Sequence, residues 1–401
     1  MRFALGTFFT VVVVLVAAIH LYLGRRLFGR RSGLSRWRRI GWGALAASAV
    51  LMLLAFVGAR FIPRSAAFLD VQVVGFFAMG LMLVLLPLTL VRDLFVGAWT
   101  GVRRLRRTRA PAPAAPASGA PTRRDVLRAA SSFGVLGSSS LLTSAGVVEA
   151  LALPELRRVS IPIDDLPEPL VGFRIVQITD LHLGPILGRA WLEDVVTKVN
   201  EAQPDLVAVT GDLADGTVDD LRDVVEPLGR LRAPRGVFFV TGNHEYYWDA
   251  EAWVAHVRFL GLDVLLNEHR VVEVGGAGLV VAGVADFSAR QMFPAHGSDP
   301  KRALEGAPAA GVKLLLAHQP KSVLAARKLG VDLQLSGHTH GGQFFPWNLL
   351  VGFFQPLARG LGRFDRTWLY VSPGTGTWGP PVRTGVPSEI SVIELERALT
   401  R

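Results

Sequence analysis

The stretch Gly236-Val237-Phe238-Phe239-Val240-Thr241-Gly242-Asn243-His244-Glu245 decides how this chain folds. Its apolar run reads as a buried strand, and Gly242 lets the backbone turn sharply where the strand stops. An amide and an imidazole are then presented together at a strand terminus, where open α/β sheets place their ligands. Gly-Asn-His-Glu alone is a weak match. Its weight depends on whether other strands end in the same way.

They do. Residues 173–178 read as a strand that ends in Asp180-Leu181-His182-Leu183-Gly184. The strand at 206–209 ends in Gly211-Asp212, the one at 312–317 in His318, and the one at 333–335 in Gly337-His338-Thr339-His340. Helical periodicity fills the intervals at 190–201, 218–231, 250–260 and 321–329. Weaker strands are expected at 263–266, 271–274, 279–282, 368–371 and 390–395. This alternation predicts a layered α/β fold with mixed sheets. Residues two apart in extended chain share a face, so Asp180 is expected beside His182, and His338 beside His340. A satisfied core histidine explains any one of these residues. It does not explain five of the nine histidines arriving with two Asp and one Asn at five strand ends.

Such a set suits two divalent cations about 3.5–4 Å apart, which clamp a phosphoryl group and activate a water. A carboxylate must bridge the pair, and Asp212, alone after its glycine, is the natural candidate. Donors without thiolate suit Mn, Fe or Zn. The chain has no cysteine, which excludes disulfides, zinc-thiolate sites and a Cys nucleophile.

Together the five blocks resemble the calcineurin-like metallophosphoesterase superfamily over nearly all of residues 170–396. The resemblance implies a four-layer αββα sandwich. It also implies one metal held by Asp180, His182, Asp212 and His340, and another by Asp212, Asn243, His318 and His338. His244 would then stabilise the phosphoryl oxygens or protonate the leaving group. The tail Tyr370-Val371-Ser372-Pro373-Gly374-Thr375-Gly376, with Gly379-Pro380-Pro381-Val382-Arg383, is similar to bacterial membrane-associated or twin-arginine-exported phosphoesterases. Glu245 is expected to support the ligands rather than to be one, and Arg383 to pair with a surface carboxylate or a substrate phosphate. His256 and His269 read as packing or surface residues, and His296 as marginal to the site.

The net charge of +10 is unevenly spread. Residues 1–150 carry 19 basic against four acidic residues, whereas residues 151–401 carry 24 against 29. The basic excess therefore lies among apolar runs at 3–23, 40–59 and 69–90, each about the 20 residues that span a bilayer. This is a membrane-topology pattern, and no nucleic-acid partner is expected. His20 is expected near an interface. Arginines crowd the segment between the first two runs and the segment after the third, which places both in the cytoplasm. An Ala/Pro-rich linker at 110–121 leads to Thr122-Arg123-Arg124-Asp125-Val126-Leu127-Arg128, which resembles a twin-arginine export signal.

The expected organisation is three transmembrane helices in 1–100 and a basic cytoplasmic linker with the twin-arginine motif in 101–128. A fourth hydrophobic segment follows in 129–153, either export signal or transmembrane helix, and a metallophosphoesterase domain occupies 154–401. The expected activity is phosphoester hydrolysis at the extracytoplasmic face of the cell membrane. A diester is favoured, extending to a lipid-linked or cell-envelope substrate. The alternatives are a phosphomonoesterase or protein phosphatase, and a non-catalytic metal-binding module of the same fold. The apolar run from Phe344 to Phe354 reads as core, or as a rim that meets lipid.

Overall fold

The computed structural model describes residues 2–29, 35–58, 61–62, 65–106, 123–309 and 311–398. The linker at 110–121 and Thr122 lie outside them. The chain divides into two compact units, Met1–Ala145 and Gly146–Arg401.

The first unit contains α1 (Arg2–Leu27), α2 (Ser35–Phe56), α3 (Ala66–Arg106) and most of α4 (Arg123–Leu151). All four are long and apolar enough to cross a membrane. The apolar run at 69–90 is the middle of a 41-residue helix that continues through Pro87 into the basic stretch. Leu23, Leu27, Leu45, Met52, Met82 and Leu85 form the shared core of α1–α3. Gly75 lets α3 approach α2 closely, since a Cβ there would lie 2.3 Å from the Leu51 carbonyl oxygen. Small residues at contacts are how helices pack in lipid, where apolar burial between them gains little. His20 is buried between helices, with Nδ1 2.7 Å from the Val16 carbonyl and Nε2 3.3 Å from Ser48 Oγ on α2.

The second unit is built on two six-stranded mixed sheets. Its elements begin with β1 (Glu155–Ile163), β2 (Arg174–Ile178), α5 (Arg189–Glu201), β3 (Leu206–Val209), α6 (Val218–Val225) and β4 (Val237–Phe239). Next come α7 (Asn243–Trp248), α8 (Ala250–Phe259), β5 (Asp263–Val264), β6 (Glu268–Val274) and β7 (Ala277–Gly283). Then follow α9 (Ala289–Met292), α10 (Pro300–Ala303), β8 (Val312–Leu316), α11 (Val323–Ala326), β9 (Leu333–Ser336) and α12 (Trp347–Leu350). The chain closes with β10 (Gly360–Phe364), β11 (Thr367–Val371) and β12 (Glu389–Arg397).

The first sheet has the order β1-β12-β2-β3-β4-β5, and the second β10-β11-β9-β8-β7-β6. In the first, β2 to β5 run parallel; in the second, β7, β8, β9 and β11 do. Ile175, Leu206 and Phe238 from one sheet meet Leu279, Leu314, Leu335 and Tyr370 from the other in a common core. The opposite face of the first sheet is covered by α5, which turns Leu192, Val195, Val196 and Val199 inward at helical spacing, and by Trp253 of α8. The outer face of the second packs on Ala303 of α10 and Ala326 of α11. Helix, sheet, sheet, helix: this is the four-layer αββα sandwich. Each parallel strand stops at the same end of its sheet, so β2, β3, β4, β8 and β9 deliver their terminal residues to one place. Gln177 joins the sheets there, donating to Thr210 Oγ1 at 2.8 Å and to the Ser336 carbonyl at 3.0 Å.

Candidate metal centre

Seven of the eight residues singled out at the strand ends bring ligand atoms together, and the eighth, Asn243, is buried directly before His244. Asp180, His182 and His340 bring ligand atoms within 4.8 Å of one another, as do His182, Asp212 and His244, and Asp212, His318 and His338. Asp212 stands at the junction, its Oδ2 lying 3.2 Å from His318 Nε2, 3.7 Å from His182 Nε2 and 4.0 Å from His244 Nε2. Asp180 Oδ1 lies 3.3 Å from His340 Nε2 and 4.0 Å from His182 Nε2.

The convergence has a different cause from the one expected. Asp180, His182, Asp212, His338 and His340 are not extended; all five have φ between 46° and 70°. The left-handed region is sparsely used by residues with a Cβ, and clusters of it mark functional turns. Two glycines make the close approach possible. A Cβ on Gly242 would sit 2.1 Å from Asp212 Oδ1, and one on Gly337 would sit 2.1 Å from Asp180 Oδ2.

Backbone amides and carbonyls orient the side chains. Both Asp180 oxygens accept from the His338 amide at 3.0 Å, and Asp212 Oδ1 accepts from the His244 amide at 2.8 Å. His318 Nδ1 donates to the Thr210 carbonyl at 2.7 Å, which aims Nε2 into the cluster. Glu245 takes the supporting role expected of it. Its carboxylate accepts from the amides of Asp212 (3.1 Å), Leu213 (2.8 Å) and Gly242 (2.6 Å), clamping one strand-end turn to the next. Burial pushes the Glu245 carboxyl up to about 6.

Charge in the cluster favours a cation. Burial pushes the Asp180 and Asp212 carboxyls up, yet the imidazoles beside them outweigh that and hold both below the ordinary range. Burial pulls His338 and His340 down to about 4, so both are neutral lone-pair donors. His318 and His244 respond oppositely. Burial is outweighed by Asp212 for His318 and by Asp212 and Asp215 for His244, which rises to about 9. Protons there supply positive charge to a buried pair of carboxylates, a role divalent cations fill better. The fit to metal is visible in one orphaned atom. Asn243 Oδ1 is buried without a hydrogen-bond partner, a costly state for a ligand-type atom, and His318 Nε2 has only the Asp212 carboxylate, 3.2 Å away, to face.

Asp215 was not singled out from the sequence. Its Oδ1 lies 2.5 Å from His244 Nδ1 and 3.3 Å from His182 Nδ1, so one carboxylate orients two imidazoles. Its only signal is its place three residues after Asp212. Tyr247 and Trp378, both about half exposed, flank His244 with ring centroids 5.0 Å and 6.1 Å away.

Among the described residues Arg383 pairs with no surface carboxylate. It is buried, donates to the carbonyls of Pro373 (2.9 Å), Gly376 (2.5 Å) and Val386 (3.0 Å), and touches His340 Nδ1 at 3.3 Å. His296 meets the Tyr246 hydroxyl, which in turn lies 3.2 Å from Thr241 Oγ1. His269 bonds the Ala303 carbonyl, and His256 packs on Trp253 and Phe259.

Residues 173–342 match the calcineurin-like phosphoesterase family. A transmembrane protein with metallophosphoesterase domain from Danio rerio is 41% identical over 268 residues, covering 65% of this chain and 61% of that protein. The chain thus spans about three fifths of that relative's length. An uncharacterized metallophosphoesterase from Campylobacter jejuni is 34% identical over 273 residues, covering 68% of this chain and 71% of the relative. Among solved structures, a dimetal phosphatase from Danio rerio aligns with 56% of this chain and 93% of its own, at 13% identity and a TM-score of 0.37.

Proposed function

The chain belongs to the calcineurin-like phosphoesterase family, and from that premise we propose that it is a membrane-held phosphodiesterase whose site faces the extracytoplasmic side. The observation that carries the chemistry is the convergence of the buried carboxylates of Asp180 and Asp212 with His182, His318, His338 and His340, with Asn243 Oδ1 left without a hydrogen-bond partner. In this reading Asp180, His182, Asp212 and His340 hold one divalent cation, and Asp212, Asn243, His318 and His338 hold the other. Mn, Fe and Zn all suit these donors, with Mn the first to test. When bound, such a pair polarises the phosphoryl oxygens and acidifies a water.

The chain's own contribution is positioning and a proton. Without metal, Asp212 and Asp215 raise His244 to about 9 against the pull of burial, and Asp215 remains its partner when Asp212 is given to the cations. Asp215 on Nδ1 leaves Nε2 to donate to a phosphoryl or leaving-group oxygen. Tyr247 and Trp378 wall the approach to that nitrogen. A leaving alkoxide, from a diester or a monoester, would take its proton from His244.

Topology rests on arginine. The Arg-rich segments after α1 and within the end of α3 are placed in the cytoplasm, and α4 carries the catalytic unit outward. Arg123 and Arg124, at the head of α4, fit a twin-arginine export signal. The substrate class that follows is a lipid-linked or cell-envelope phosphodiester.

The test uses the purified full chain loaded with Mn. An aryl phosphodiester should be hydrolysed faster than an aryl phosphomonoester. His244→Ala should lower turnover by about 10²–10⁴-fold with metal content unchanged. Preference for the monoester would replace the diesterase reading, and bound metal without turnover on either ester would leave a binding module. A periplasmic-type reporter fused after Arg401 should be active, and an active cytoplasmic reporter there would reverse the topology.

A further inference from the structure

Residues 344–358 run for fifteen positions without a charged side chain, directly after the His338–His340 pair. The segment is not core. Phe345, Trp347, Leu349, Leu350, Phe353 and Phe354 are all exposed, Leu349 to 66% and Phe353 to 82%. Nor is it a loose loop. Trp347 stacks on Phe354 with ring centroids 5.8 Å apart and planes 21° from parallel. Val351 is buried beneath, and the Phe345 amide donates to Thr384 Oγ1 at 3.0 Å. Gly342 seats the ridge, since a Cβ there would lie 2.3 Å from Asn348 Cα. A contiguous exposed apolar surface on an ordered base marks an interaction site.

We propose that this ridge is a membrane-interface anchor, with Trp347, Leu349, Phe353 and Phe354 entering the boundary between headgroups and acyl chains. The chain itself argues for a bilayer as the occupant. It carries four helices of membrane-spanning length and composition, and α4 ends at Leu151, only three residues before β1 begins at Glu155. The catalytic unit therefore has no long tether by which to leave the bilayer surface. The ridge has the composition of an interfacial segment: Trp, Phe and Leu without charge. Lys321 shares a groove of about 520 Å³ with Phe353 and Phe354, so insertion of the ridge would bring a cation toward the lipid phosphates.

The anchor is also coupled to the metal centre. Gln343, between the histidine pair and the ridge, donates to the Trp378 carbonyl at 3.0 Å, and the Trp378 ring faces His244. Insertion of the ridge would hold the mouth of the site at the height of lipid headgroups. The anchor itself does not depend on the diesterase reading.

Because the chain has no cysteine, single cysteines can be placed at Leu349 and Phe353, with Phe259 on α8, also 82% exposed, as control. Each full-length variant is nitroxide-labelled and set in nanodiscs of zwitterionic and anionic phospholipid. Collisional accessibility to oxygen and to a nickel chelate is then read by power saturation. Labels at 349 and 353 should favour oxygen, and the label at 259 should favour nickel. Nickel access at 349 and 353 equal to that at 259 would overturn the anchor. Protection from both reagents would also overturn it, in favour of a protein or a second copy covering the ridge. Phe353→Ser with Phe354→Ser should shift the label at 349 toward nickel while metal content and turnover of a soluble aryl phosphodiester stay unchanged. A loss of soluble turnover in the labelled wild-type background would count against the catalytic reading and leave the anchor standing.

Discussion

Around Asp212, His318 and His338 the support comes from within the strand-end turns, whereas around Asp180, His182 and His340 the C-terminal loop adds to it. Glu245, two residues beyond Asn243, clamps the Asp212 turn through three amides, and Thr210, two residues before Asp212, receives His318 Nδ1. The other cluster leans on distant groups. Thr375 and Gly376 donate their amides to the Thr179 and Asp180 carbonyls at 2.8 Å and 3.0 Å. Arg383 holds that loop and touches His340. One cluster is braced by its own motif, the other also by residues folded against it last in the chain. The first should tolerate damage to the C-terminal loop. The second should not.

Asp212→Asn erases the comparison, because Asp212 is the group both clusters face. Metal content should collapse at both, and turnover should fall to that of metal-stripped protein. Elemental analysis after dialysis checks this; one equivalent retained at full affinity would mean that the clusters do not meet through Asp212. Gly337→Ala acts on one side. The new Cβ would lie 2.1 Å from Asp180 Oδ2 and 2.3 Å from Thr179 Oγ1, and neither is the free end of a flexible chain. The Asp180 cluster should lose its cation while the Asp212–His318–His338 cluster keeps one, with stability lower by about 1–3 kcal/mol from overpacking. A drop from two equivalents toward one, with a lower melting temperature, is the expected reading; two equivalents retained would show that the strand end relaxes.

The same contrast explains what was legible in the sequence. The motif-braced cluster could be read because Gly211-Asp212 and Gly242-Asn243-His244-Glu245 carry both the site residues and their support. The parallel strands could be read because burial on both faces makes them continuous apolar runs. β1 and β10 were missed for the converse reason. They are edge strands, largely or partly exposed, and Arg157, Arg158 and Pro162 in β1 and two glycines in β10 break the apolar pattern. The expected helix at 321–329 shrinks to Val323–Ala326 between short turns. Asp215 and Arg383 were illegible for a different reason. Nothing local distinguishes an acid or a base that will be useful only when a remote turn folds onto it. The alternation argument paired Asp180 with His182 correctly but by the wrong geometry, since both lie in left-handed turns and not in extended chain, whereas His338 and His340 go to different clusters.

Arg383→Met carries the smallest expected effect and the sharpest discrimination. Arg383 supplies no ligand, so both clusters keep their donors. Its guanidinium spans three carbonyls, and burial pulls it down only to about 10, so it remains a cation at neutral pH. Without it the Pro373–Gly376 loop loses its clamp, and the backbone of Asp180 and the ring of His340 lose a fixed neighbour. Affinity at the Asp180 cluster should weaken by about 10–100-fold, as for other supporting residues at metal sites, with the Asp212–His318–His338 cluster unchanged. Arg383→Lys should rescue little, because a single ammonium cannot reproduce the planar fork that reaches Pro373, Gly376 and Val386 together. Two-step metal release against a graded chelator reads both affinities in one titration. Equal weakening of both steps would mean that Arg383 acts through general stability, and the division between the two bracings would fall.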